Sequence, residues 1–217
     1  MVNKKWVLIT LCGWLLLTIV GSTRSVEYNQ TILVWIALRQ TWLLFGGWIA
    51  ISKVGLLSWK SRDVVFGGVA GIGLFFLNGF VGYAVIQGLS RLYGVGVVNQ
   101  WLIQERAGVD LLLSLADGNY LWAVFFLVVI GAPVSEELFF RGAVLSGLRS
   151  ILPDWLGITI AALFFAWVHF YIIQFLPIFL AGIVLGVLFI RSQTIIRPIV
   201  AHIVVNGIVF LVYFFSM

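Results

Sequence analysis

Residues 131–142 read "GAPVSEELFFRG". Glu136, Glu137 and Arg141 stand there inside an apolar run that extends from Tyr120 to Leu148. Whether that run lies in lipid or in a water-soluble core decides the fold. Of the 217 residues, 62% are hydrophobic and 10% charged, and the mean hydropathy is +1.13. A soluble domain of this length is about half apolar and about a quarter charged. Too little polar surface exists to clothe a globule in water, so the chain reads as an all-α, polytopic transmembrane bundle.

A span needs about 20 mostly apolar residues and no fewer than about 17. The candidates are Trp6–Val20, Thr41–Leu57, Val64–Leu89, Tyr120–Leu148, Leu156–Leu176, Ile178–Ile190 and Ile199–Phe215. The sixth is short and continuous with its neighbours, so about seven membrane helices are expected, within a range of six to eight. They form a single integral membrane domain over residues 1–217. Helices and an interfacial loop occupy 1–119, and a second half occupies 120–215. Residues 90–119 mix Arg91, Glu105, Arg106, Asp110 and Asp117 with apolar side chains. That pattern fits an interfacial amphipathic helix over Val97–Leu115.

Lys4 and Lys5 ahead of Trp6–Val20 resemble the start of a secretory signal, but no A-x-A-like site follows. An uncleaved first helix is expected. With seven spans and a cytoplasmic N-terminus, the inner side holds Lys4, Lys5, Lys53, Lys60, Arg62, Arg149, Arg191 and Arg197. The outer side holds Arg24, Arg39, Arg91 and Arg106. That excess of inner cations favours N-in. The net charge of +5 is scattered between apolar segments, and no basic, aromatic-interleaved stripe exists, so nucleic acid is excluded as a partner. Cys12, alone in the sequence, builds neither disulfide nor thiolate metal site. Gly67-xxx-Gly71 and Gly182-xxx-Gly186 match the small-residue pattern of close helix contacts and are expected to pack within the chain. Asn29-Gln30-Thr31 matches a glycosylation triplet, but abuts a membrane segment and reads as a chance match.

Charge at membrane depth costs at least a few kcal/mol and usually faces a bundle interior or a wet cavity. Glu137 and Arg141, four apart, share a helix face and can pair. Glu136 is turned about 100° from Glu137, so it is a spare carboxylate aimed elsewhere. Pro133 just upstream kinks the helix or starts a new one. The only two histidines, His169 and His202, both lie in apolar spans. His202 and Asn206 share a face, as do Phe165 and His169. At about 1.5 Å per residue, Glu136 lies roughly 18 Å from Leu148 and His169 on the order of 20 Å from Leu156. Asn206 lies about 10 Å and His202 about 5 Å from Ile199. All four fit one cavity in the middle to cytoplasmic half of the bilayer.

A desolvated carboxylate is a competent general base for water, a histidine can position that water, and a second His with an Asn can donate to an oxyanion. The set suits a hydrolase of an amide or similar bond. Zinc held by Glu136, His169 and His202 is a chemical alternative, although no H-E-x-x-H pair supports it. Buried Glu and His could also relay protons in a transporter.

In order along the chain, E-E-x-x-x-R (Glu136, Glu137, Arg141), F-x-x-x-H (Phe165, His169) and H-x-x-x-N (His202, Asn206) resemble the type II CAAX prenyl endopeptidase and bacteriocin-processing (CPBP) family. The resemblance covers roughly residues 120–215. It implies a glutamate-dependent intramembrane endopeptidase, all-helical, with a cavity open toward the cytoplasm and no cofactor. By the same resemblance Glu136 and His169 activate water, His202 and Asn206 serve the oxyanion, and Glu137, Arg141 and Phe165 support the site. The partners implied are the lipid bilayer and a peptide or membrane-protein substrate. The small size suits a bacterial-type plasma-membrane member, whose substrate need not be prenylated. Members also include immunity or scaffold-like proteins, which leaves a non-proteolytic membrane role as the competing expectation.

Overall fold

The computed structural model describes residues 2–24, 29–51, 55–58, 60–114 and 120–215, apart from the side chains of 22–24, 29, 30 and 113. Asn29 of the triplet, Arg24, Lys53 and Asp117 therefore lie outside the described side chains. Among the described residues there are eight helices and no strand. They are α1 (Lys4–Arg24), α2 (Asn29–Ile51), α3 (Ser61–Tyr93), α4 (Val95–Ser114), α5 (Leu121–Leu148), α6 (Asp154–Trp167), α7 (Phe175–Ser192) and α8 (Ile196–Phe215). Six are long and apolar enough to cross a bilayer. These are α1, α2, α3, α5, α7 and α8, while α6 is apolar but shorter. The count lies at the lower end of the expected range, and α4 takes the place expected for the interfacial helix.

Two expected spans are corrected. The second runs from Asn29 to Ile51 rather than from Thr41 to Leu57. Arg39, expected on the outer side, falls in the middle of this helix, and Gln40 is absorbed there by donating its side-chain amide to the Leu127 carbonyl at 2.8 Å. The fifth ends at Trp167 rather than Leu176. Phe170 takes the left-handed conformation (φ 56°), which an L-residue adopts only under constraint, and the chain turns there before α7.

Large apolar side chains on the outer faces, such as Leu8, Leu16, Phe76 and Phe80, are exposed, as they should be where lipid is the solvent. Packing inside is set by small residues. A Cβ at Gly67 would lie 2.8 Å from the Arg197 carbonyl oxygen, and one at Gly71 2.5 Å from that of Ala201. Both ends of the comparison advance by four residues, so α3 and α8 lie side by side and parallel. Gly182 and Gly186 of α7 meet Ala162 and Ile158 of α6 in the same way. Both glycine pairs thus serve packing within the chain. The main apolar cluster joins Leu43 and Ile51 of α2, Phe139, Phe140 and Leu145 of α5, Phe165 of α6 and Phe189 of α7. It wraps the helix that carries the glutamates. An ion pair, Arg197 to Asp63 at 2.6 Å, ties the first turns of α8 and α3.

Candidate active site

Pro133 shapes the centre of α5. Lacking an N–H, it cannot serve the carbonyl behind it. The chain responds with a π-helical turn over Phe126–Gly131, in which the Ala132 N–H reaches back five residues to the Leu127 carbonyl. In that register the Val128 carbonyl faces Pro133 and has no backbone donor. Asn206 of α8 supplies one from its side-chain amide at 3.0 Å. Gly131 leaves the room Gln40 needs, because a Cβ there would collide with the Gln40 amide oxygen. Such π-turns cluster at functional sites. Asn206→Ala is expected to leave the Val128 carbonyl unpaired and to cost about 1–3 kcal/mol. Denaturant unfolding in micelles measures it, and an unchanged midpoint would speak against the pairing.

After the α-helical segment Ala132–Glu137, a second π-helical stretch, Leu138–Leu145, carries Arg141. Glu137 is wholly buried. Its Oε1 accepts from Arg141 Nη1 at 2.8 Å and lies 2.9 Å from His202 Nδ1. A carboxylate already paired with an arginine can only accept, so His202 Nδ1 carries the hydrogen. Arg141 also donates to the Gly182 carbonyl at 3.3 Å and stacks over the Phe165 ring at 4.4 Å. The pair read from the i,i+4 spacing is therefore a three-helix junction of α5, α7 and α8, with α6 supplying the ring.

Glu136 is in a different position. Its side chain keeps 21% of its surface exposed, against none for Glu137, and its Oε2 stands 4.0 Å from His202 Nε2. That distance is beyond a hydrogen bond but suits two groups sharing a water. His169 sits in the turn after α6, with Nδ1 2.6 Å from the Phe165 carbonyl. A carbonyl accepts, so Nδ1 donates and Nε2 of the neutral ring is left as an acceptor. The Phe165 ring lies between both histidines, 4.8 Å from His169 and 6.0 Å from His202. Glu136 and Glu137 thus both neighbour His202, and Phe165 joins His169 to it. Among the described residues, no three His, Cys, Asp or Glu side chains, the trio Glu136, His169 and His202 included, form a group able to hold a metal ion.

Sequence reading missed three residues here. Gln40 and Tyr171 were single polar groups in apolar runs, and Glu105 was one charge among several in a loop. Tyr171 lies 6.2 Å, ring to ring, from His169. Burial, and then the nearby Glu105, Tyr213 and Glu136, hold its phenol above the ordinary range, so it is protonated at neutral pH. Glu105 of α4 accepts the backbone N–H groups of Ile172, Ile173 and Gln174 at 2.5, 2.7 and 3.2 Å. No local sequence pattern encodes a contact across 67–69 residues.

Comparison with known proteins points to the motif-bearing half of the chain. Residues 118–208 match the model of a family described as type II CAAX prenyl endopeptidase Rce1-like, a membrane-protease family. The chain is also 27% identical over 205 residues to an uncharacterized 24.3 kDa protein of Escherichia coli, an alignment covering 81% of this chain and 92% of that protein. No solved structure matches the chain significantly.

Proposed function

We propose, since residues 118–208 match the model of the Rce1-like type II CAAX prenyl endopeptidase family, that the chain is an intramembrane endopeptidase driven by Glu136. It hydrolyses a peptide bond in a membrane-associated peptide or protein tail. The observation that carries this reading is the unequal treatment of two adjacent glutamates. One oxygen of Glu137 takes both Arg141 and His202 and the other is sealed from solvent without a partner, whereas Glu136 is partly exposed and stands opposite His202 Nε2.

The chemistry follows from those positions. Glu136 takes a proton from a water as its oxygen attacks the scissile carbonyl carbon. His169 Nε2 accepts the other hydrogen of that water and orients it. Negative charge then develops on the substrate oxygen. Protonated His202, its Nδ1–H directed at buried Glu137, donates Nε2–H to it, a carboxylate-backed imidazolium of the kind that stabilises acyl-transfer intermediates. Asn206 spends one amide hydrogen on Val128 and, having two, offers the second to the same oxygen. Collapse of the intermediate breaks the C–N bond as Glu136 returns its proton to the leaving nitrogen. The N-terminus is assigned to the cytoplasmic side of a bacterial-type plasma membrane, on the excess of inner cations. A prenyl group on the substrate is not required by any of these steps.

The test is cleavage of membrane-tail peptides by the purified chain in liposomes. Turnover is expected to survive strong chelation, with no stoichiometric zinc by elemental analysis. Activity lost to the chelator and restored by zinc would replace the water-activating glutamate with a metal centre. No cleavage of any membrane tail would favour a non-proteolytic role.

A further inference from the structure

The turn that carries His169 is short of internal support. His169 and Phe170 have turn hydrogen bonds to Ala166 and Trp167 at 3.2 Å, and Phe170 sits at φ 56°, a conformation that needs outside restraint. The helix that follows, α7, begins without a side-chain cap of its own, Gln174 making none. The first N–H groups of any helix lack intrahelical partners, and a negative charge there is favourable. Glu105 restrains the turn and sets a negative charge at that helix start, where the N-cap Gln174 is the one of its three donors that belongs to the helix end. Its Oε1 accepts from Ile172 and Ile173 and its Oε2 from Gln174. Charge-assisted bonds of this kind are roughly twice as strong as neutral ones.

Among the described residues, these three are the hydrogen bonds that join α4 to the turn. Elsewhere the two are separated by a cavity of about 170 Å³, with Trp101 and Gln104 on one side and Phe170 and Tyr171 on the other. α4 in turn is held to α8 by Arg106, whose guanidinium lies 4.9 Å over the Tyr213 ring. The position of the His169 ring is thus fixed at two points. One is its own Nδ1 on Phe165, and the other is the backbone three residues on, clamped by a carboxylate from a helix outside the motif-bearing half.

We infer that Glu105 is a positioning residue for the cleavage reaction, anchoring the 168–174 turn so that His169 Nε2 faces the attacking water. This rests on the proteolytic reading given above. Glu105 touches neither substrate nor the reacting atoms. It acts through the backbone of Ile172, Ile173 and Gln174. A misplacement of about 1 Å at a reacting group can cost on the order of a hundredfold in rate.

Cleavage kinetics and amide hydrogen exchange, measured on the full chain in liposomes, test the inference together. Glu105→Ala is expected to lower kcat by about ten- to a hundredfold while KM stays within about twofold. Exchange at residues 172–174 should quicken, with exchange in α3 and α8 unchanged. Glu105→Gln keeps one acceptor oxygen and should recover part of kcat and part of the protection. It also serves if the alanine variant fails to fold. Gln100→Ala, at an exposed position of the same helix, should leave kcat unchanged. Wild-type kcat in Glu105→Ala, or unchanged exchange at 172–174, would overturn the inference. So would an equal loss in Gln100→Ala. A wild-type chain that cleaves nothing, while Glu105→Ala still frees the 172–174 amides, would sink the proteolytic reading and leave the anchor standing.

Discussion

Glu136→Gln is expected to lower cleavage by roughly 10²–10⁴-fold, the usual contribution of a positioned general base, while the protein stays folded. Gln is nearly isosteric with Glu and keeps hydrogen-bonding capacity, but its amide cannot take the proton from water. Stability should hold because Glu136 is partly exposed and its charge pairs with no arginine. The same exchange at Glu137 offers the control. Glu137 accepts from Arg141 and His202 and does not touch the water in this scheme. Glu137→Gln is therefore expected to weaken both structure and turnover, whereas Glu136→Gln removes turnover alone. Single-turnover cleavage in liposomes, alongside thermal unfolding of the same samples, separates the two. Glu136→Gln at wild-type rate would remove Glu136 from the mechanism.

Glu137→Ala carries the largest expected cost in stability. Arg141 is buried, with 3% of its side chain exposed against none for Glu137, and its cation has no route to water. Removing one partner of such a pair strands the other and costs about 3–5 kcal/mol, a large share of the roughly 5–15 kcal/mol that holds a domain together. His202 Nδ1 loses its acceptor at the same time. The double variant Glu137→Leu/Arg141→Met should be milder than Glu137→Ala. Replacing both charges with apolar groups leaves nothing stranded, and buried pairs are often no more stable than apolar substitutes. Denaturant unfolding in mixed micelles reads the order. A double variant less stable than the single would show that the pair contributes net stability. For comparison, Asp63→Ala also breaks a close pair, but Arg197 retains 16% side-chain exposure and rests 5.3 Å over the Phe66 ring. Its loss should be smaller.

What could be read from the sequence divides along the range of the interactions involved. The Glu137–Arg141 pair and the Phe165–His169 contact follow from four-residue spacing within one stretch. The membrane class follows from composition, and a separate helix near α4 from the charges scattered among its apolar residues. Pro133 announced a disturbance in α5, but not that the disturbance would be a π-turn. Without that register, the partner of Asn206 could not be named, although its place on the His202 face and a role at the oxyanion were expected. The boundary at Trp167 was hidden because Val168, Phe170, Ile172 and Ile173 are as apolar as a membrane helix. A carboxylate from α4 holds the chain just beyond it, at residues 172–174, and hydropathy carries no record of it. Arg39 and Gln40 misled in the opposite sense. A polar pair that looks like the edge of a span belongs inside one when a neighbouring helix offers a carbonyl with a lone pair to spare.

The central claim is that Glu136 activates water to cut membrane-associated chains. Its most direct test is terminal-peptide profiling of membranes from cells carrying the wild-type chain or Glu136→Gln at matched abundance. The account expects a defined set of new termini in the wild type that vanishes in Glu136→Gln. The same termini at the same abundance in both would contradict it.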